Sequence, residues 1–169
     1  MFTPCRDNVS LSVTLTDTKV SKGLVMTKRG CGIIFYNLQR DAVLVFRRDN
    51  KDWIPFPNML DLLGGNVEED ETPEEAAVRE MAEELIDLRT NQAYVLEQHS
   101  LLFRYIDARN CEQSIFVCNV DINLSDLQLL EGKELVWVSR QEIEKGLKMA
   151  FEFEEVLQRF FVERPISHN

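Results

Sequence analysis

Of the 22 residues from Asn66 to Asp87, ten are acidic and only Arg79 is basic, so this short segment supplies −9 of the chain's net charge of −10. The rest of the chain is close to neutral, and the acidity is a local feature with a local cause. The same segment carries strong helix signals. Thr72 is a good N-cap, Pro73 suits the first helical position, and Glu75 completes a Thr-x-x-Glu capping box. A helix is expected from Pro73 to about Ile86, with Ala76, Ala77 and Met81 on its apolar side and Leu85 extending it. Glu80, Glu83 and Glu84 then stand as i, i+3 and i+4 neighbours on one face. Carboxylates so placed repel one another unless a cation sits among them. Oxygen-only ligands suit Mg²⁺ or Mn²⁺, and a Mg²⁺ shell is commonly completed by water and phosphate oxygens. Gly64-Gly65, just upstream, offers a backbone free of side chains, able to present a carbonyl or approach a phosphate closely. Arg79 is expected to point away from the carboxylate face and pair with Glu71, pinning loop to helix. A merely solvated acidic face accounts for the charge but not for the diglycine, the cap and the lone arginine at these intervals.

The remainder bounds the architecture. A chain of 169 residues, 44% hydrophobic and 28% charged, has material for one packed core. It shows no repeat, low-complexity tract or Gly/Ser linker, so one domain is expected. No apolar run approaches the roughly 20 residues that span a bilayer. The stretch MFTPCRDNVS has no basic region followed by an apolar one, so the cytoplasm is the expected location. Cys5, Cys31, Cys111 and Cys118 show no CxxC spacing and the histidines are only His99 and His168, which argues against zinc. The acidic balance argues against general nucleic-acid binding.

Residues 8–20 alternate apolar and polar as an edge strand does. Strands are expected at Ile33–Tyr36 and Ala42–Phe46 about an Asn37–Asp41 turn, then at Ala93–Glu97, Ser100–Asp107, Ser114–Asp121 and Glu134–Val138. Two prolines make Trp53–Asn58 an extended connection. Arg140–Lys148 and Phe151–Phe161 read as helices. This order fits an α/β (α+β) arrangement, a mixed central β-sheet with helices on its faces.

The spacing Gly65, five residues, Glu71, seven residues, then Arg79-Glu80-Met81-Ala82-Glu83-Glu84 resembles the Nudix box, G-x5-E-x7-R-E-U-x-E-E-x-G-U. Two positions depart from it: Ile86 replaces the box's last glycine and Asp87 the hydrophobic residue after it. Glycine there would end the helix in a left-handed turn that a β-branched residue resists, so the helix is expected to run on toward Asn91 or to turn differently. The resemblance implies an α/β/α sandwich over residues 28–164, an N-terminal extension at 1–27 and a tail at 165–169.

It also implies a hydrolase of phosphoric anhydride bonds, acting on a nucleoside di- or triphosphate or a nucleoside diphosphate linked to another group. Glu80, Glu83 and Glu84 would be catalytic, and with the Gly64 carbonyl they would hold Mg²⁺, or Mn²⁺ in its place. Gly65, Glu71 and Arg79 would support the loop. A further carboxylate, Glu131 in Glu131-Gly132-Lys133, resembles one that several members bring from a far loop; Glu134 and Glu112 compete with it. For substrate contacts, Phe35, Phe103, Tyr105 and Phe116 alternate on strands and offer stacking surfaces, Arg47 and Arg104 offer phosphate contacts, and Trp53 and Phe56 could flank an entrance. Core packing is the commoner role for aromatics so placed. The lack of a SQPWPFPxS-like stretch counts against an NADH pyrophosphatase, and Leu102-Phe103 lacks the proline often seen in ADP-ribose enzymes. Tyr105 lies near a tyrosine of dinucleoside-polyphosphate hydrolases, leaving that class as an alternative. The partner expected is a small nucleotide, with neither nucleic acid nor membrane; monomer and homodimer both stay open. A Nudix-fold sensor that binds a nucleotide without cleaving it is the alternative from another class.

Overall fold

The computed structural model describes residues 28–164. The strand expected at 8–20, the extension 1–27 and the tail 165–169 lie outside the described residues. In chain order the elements are β1 (Arg29–Asn37), β2 (Ala42–Arg47), β3 (Leu60–Asp61), β4 (Leu63–Asn66), α1 (Pro73–Glu84), β5 (Leu85–Asp87), β6 (Gln92–Ala93), β7 (His99–Ile106), β8 (Glu112–Asn119), β9 (Leu127–Leu129), β10 (Glu134–Ser139), α2 (Arg140–Glu144) and α3 (Phe153–Glu163). The main sheet runs β10-β2-β1-β8-β7, with β3 added to β2 and β4 to β1. It is mixed, because β1 and β8 are parallel while the other pairs are antiparallel. A small sheet, β6-β5-β9, lies apart from it.

Side-chain alternation along β1 divides the core. Ile33 and Phe35 join Leu44, Phe46 and Phe116 against Ala76, Ala77 and Met81 of α1. Ile34 and Tyr36 join Val43, Val45 and Val117 against Val156, Leu157 and Phe160 of α3. Both faces of β1 and β2 are buried, which is why these strands read as continuous apolar runs. The α3 side is also tied to the strand ends. Arg140 bonds Asp41 in the β1–β2 turn at 2.6 Å and the Phe161 carbonyl of α3 at 2.7 Å.

Four expectations need correction. The box helix stops at Glu84: Leu85 is already extended (φ −129°, ψ 139°) and its N–H still reaches the Met81 carbonyl. Ile86 therefore sits in β5, opposite Ala93 on one side and Gln128 on the other. A β-branched residue suits a strand, and no left-handed turn is made there. The strand expected at Ala93–Glu97 shrinks to Gln92–Ala93, while Tyr94 and Leu96 turn into the core. The helix expected to reach Lys148 ends at Glu144, just ahead of Gly146 at φ +87°. Trp53–Asn58 makes turns in place of an extended link, with Phe56 and Asn58 both at positive φ.

Candidate active site

The capping box fixes where α1 begins: Thr72 Oγ1 accepts from the Glu75 N–H at 3.2 Å, and the Thr72 N–H donates to Glu75 Oε2 at 2.8 Å. From that start, three buried apolar residues (Ala76, Ala77 and Met81) dock the helix on the sheet. Docking leaves Glu80 half-buried and Glu84 buried beside β4. The diglycine makes the closeness possible. Gly64 adopts φ +134°, and a Cβ on it would lie 2.3 Å from the Cys31 carbonyl oxygen of β1. A Cβ on Gly65 would lie 2.3 Å from Glu80 Oε1. Glycine is thus a packing requirement at Gly64, where backbone is met; at Gly65 a Cβ would instead displace the Glu80 carboxylate, and its absence leaves backbone against carboxylate.

Glu131 arrives from the β9–β10 loop by a separate route. The Leu130 N–H donates to the Glu84 carbonyl at 2.8 Å, and the Lys133 N–H to the Arg47 carbonyl at 2.8 Å. Between them Gly132, at φ +100°, lets the loop lie against β2, where a Cβ would meet the Arg47 carbonyl at 2.8 Å. So pinned, Glu131 lines a cavity of about 560 Å³ together with Glu80, Glu84, Gly64 and Gly65. Burial, with Glu80 and Glu131 adding to it against the Gly64 amide, pushes the Glu84 carboxyl up to about 8. Burial likewise raises Glu80, against the pull of Arg79.

Arg79 does not point away from this face. Its guanidinium joins Glu71 at 2.6 Å, the Asn66 carbonyl at 3.0 Å, Glu80 at 2.9 Å and Glu83 at 3.2 Å. It pins the loop to the helix as expected and also spans the carboxylate row. Glu83 is on the solvent side, its side chain 61% exposed, and does not line the cavity. Among the described residues no three His, Cys, Asp or Glu side chains converge as a metal cage by themselves. The donor set nonetheless fits a hard cation. Glu84 is buried beside other negative groups and receives one long hydrogen bond, from the Gly64 N–H at 3.4 Å. Such a carboxylate lacks a counter-charge of its own, and the open side of the group faces the cavity.

A family model for the NUDIX domain matches residues 26–160. The chain belongs to the NUDIX family. It is accordingly a hydrolase of pyrophosphate bonds, with activity on nucleoside diphosphate derivatives as its class. A curated relative, the dihydroneopterin triphosphate diphosphatase of Haemophilus influenzae, is 26% identical over 121 residues, 65% of this chain and 73% of that one. The fold is similar to that in a study of MutT from Aliivibrio salmonicida and Vibrio cholerae (TM-score 0.62, 15% identity, covering 80% of this chain and 98% of that one). It is also similar to the NUDIX domain of Shewanella oneidensis NrtR complexed with ADP ribose (TM-score 0.60, 20% identity, 80% and 86% covered). Among the described residues no helix is long and apolar enough to cross a membrane.

In this NUDIX domain the substrate contacts expected from sequence lie elsewhere than the cavity. Phe35 is 1% exposed and packs edge-on to Tyr94 at 5.7 Å, so its ring is core and offers no stacking surface. Arg47 is held by Glu134 at 2.7 Å and by the Asn58 carbonyl, and Glu134, unlike Glu131, does not line the cavity. Phe103 and Tyr105 pack on the α3 side, Phe103 under the Arg159 guanidinium at 4.0 Å. None of the four lines the cavity. Its lining instead includes Arg48, Arg109, Gln113 and Phe151, which sequence reasoning passed over. Arg48 bonds Asp61 at 2.6 Å, and Phe151 takes φ +54°, a left-handed backbone unusual for an aromatic residue. The only available signal was the non-helical start of the last apolar run, which periodicity alone does not reveal.

Proposed function

We propose that this chain is a Mg²⁺-dependent pyrophosphohydrolase, with Mn²⁺ able to substitute, that cleaves the diphosphate linkage of a small nucleotide-like triphosphate or nucleoside diphosphate derivative. The observation that carries the reading is the meeting of Glu80 and Glu84 with Glu131, from a separate loop, on one wall of the cavity beside Gly64-Gly65. Glu80, Glu84, Glu131 and the Gly64 carbonyl would hold the ion, and Glu83 would join them on releasing Arg79. When bound, such an ion neutralises phosphate oxygens and lowers the pKa of a water. The chain's own part is to bind and orient. Gly65 lets a phosphate approach the backbone without a side chain between. Arg79, fixed by Glu71 and the Asn66 carbonyl, keeps loop and helix in register. One carboxylate at this wall takes the proton of the attacking water as its oxygen bonds to phosphorus and the anhydride P–O bond breaks.

The curated relative's name supports a triphosphate carrying a planar heterocycle as the first substrate to try. The free thiols Cys31, Cys111 and Cys118 support a reducing, cytoplasmic setting. The test is a panel of nucleoside triphosphates, dihydroneopterin triphosphate, nucleotide sugars, ADP-ribose and dinucleoside polyphosphates with Mg²⁺ or Mn²⁺, followed by ³¹P NMR. Release of pyrophosphate or phosphate that stops on chelation is expected. Tight nucleotide binding with no turnover of any member would replace this reading with the sensor one.

A further inference from the structure

The cavity lining also contains a largely buried polar residue with unused hydrogen-bonding capacity. Gln113 on β8 is 5% exposed and lines the cavity. Its Nε2 donates to Asp107 Oδ2 at 3.1 Å and to Cys111 Sγ at 3.3 Å, which fixes the amide's orientation. Among the described residues no donor reaches its Oε1. That oxygen lies over Gly30 of β1, where a Cβ would come within 2.6 Å of it. Gly30 also lines the cavity, so the absence of a side chain there is what leaves the carboxamide room. An amide carbonyl held this way and left without a protein donor is an acceptor that a ligand's N–H can use.

The neighbours set the shape of that ligand. Asp107, which anchors Gln113, also accepts from the Arg109 backbone N–H and from the Arg109 side chain. The Arg109 guanidinium is thereby placed 4.1 Å from the centre of the Phe151 ring, with its side chain still 47% exposed. Phe56 packs edge-on to the same ring at 4.7 Å. A planar cationic group backed by aromatic rings is a surface on which a flat heterocycle stacks. From these positions we infer that Gln113 Oε1, with Arg109 on Phe151, forms a subsite for a planar nitrogen heterocycle that presents an N–H donor. The subsite deepens the hydrolase reading above, because it gives the organic half of the substrate a place in the same cavity as the carboxylates. Its recognition step needs neither the ion nor turnover.

The test therefore uses uncharged probes on metal-free protein. Guanosine, adenosine, cytidine and uridine are titrated by ¹H–¹⁵N NMR, with D-ribose and caffeine (a planar heterocycle with no N–H) as controls. At least one nucleoside should bind about tenfold more tightly than either control and shift the Gln113 side-chain resonance. Gln113→Leu should remove that preference while leaving caffeine binding unchanged. Gly30→Ala should do the same by displacing the carboxamide, and its strand backbone accommodates alanine, so it guards against a Gln113→Leu result caused by misfolding. A preference that survives in Gln113→Leu, or one absent from the wild type, overturns the subsite. Failure of the hydrolysis panel alone, with this preference intact, would sink the hydrolase reading and leave the subsite standing.

Discussion

At one end of the cavity Glu80 and Glu84 come from a single helix turn and Gly64-Gly65 from the strand just before it, with only Glu131 brought from elsewhere. At the other end Arg48, Arg109, Gln113 and Phe151 come from four separate places: the end of β2, the β7–β8 turn, β8 and the turn before α3. The first end is organised by local geometry, helix spacing and a capping box. The second exists only because the sheet brings β1 and β8 side by side with Gly30 opposite Gln113. One end is therefore suited to fixed chemistry on phosphate. The other is open to change one residue at a time, which is where discrimination between substrates is expected to reside.

Breaking the first end should have the larger consequences. Glu84→Gln keeps the shape of the side chain and removes its charge, so activity should fall by about 10²-fold or more while the fold is kept. Steady-state rates and a thermal melt on the same sample check this. Full activity in that variant would remove Glu84 from the chemistry. Arg79→Ala releases Glu71, Glu80, Glu83 and the Asn66 carbonyl together, and a loss of about 10–100-fold is expected. Arg79→Lys should recover only part, because an ammonium cannot reproduce a forked contact. If lysine restored the wild-type rate, Arg79 would matter only as a charge.

Between the two ends stands Asp61, 4% exposed and bound to Arg48. Burial outweighs that arginine and pushes the Asp61 carboxyl up to about 6. The folded value lies above the unfolded one, so ionisation of Asp61 costs stability. Metal-free protein should lose about 2 kcal/mol from this group as pH rises from about 4 to 7. Asp41 behaves oppositely: Arg140 holds its carboxyl below the usual range, and its contribution is present near neutrality and lost as pH falls toward acid. Urea unfolding of wild type and Asp61→Asn at both ends of the range tests the sign. An identical pH slope in the two proteins would mean that Asp61 titrates normally.

Much of this was legible in the residues. The β1–β2 hairpin, the start of α1 and the cores of β7, β8 and β10 follow from alternation, a turn and a cap, all short-range signals. For Phe35 the core reading holds and the stacking one fails, a choice alternation cannot make because it gives two faces without saying that both are covered; the cover on its side is Tyr94, a residue assigned to a strand that barely forms. Gln113 read as one more polar position in a strand, since nothing along the chain reveals that Gly30 stands beside it. Glu131 is suggested by resemblance alone, and its position in the cavity lining depends on Gly132 and on a hydrogen bond to the end of α1.

The smallest expected effect concerns the one place where the box departs from its pattern. If a glycine at position 86 were needed to end α1, Ile86→Gly would improve the site. The structure gives the opposite expectation. Leu85 already leaves the helix with extended dihedrals, and Ile86 is paired on both sides within the small sheet. Glycine there would add backbone freedom to the unfolded chain and remove a half-buried β-branched side chain, at a cost of about 1 kcal/mol. The carboxylates precede this residue on a helix fixed by its own cap and apolar face, so kcat should stay within about twofold of wild type, inside the ordinary scatter for a change remote from the chemistry. A thermal melt with parallel kinetics decides it. A rise in melting temperature or in kcat would mean that α1 ends under strain at Ile86, and that the acidic end of the cavity depends on more than its local geometry.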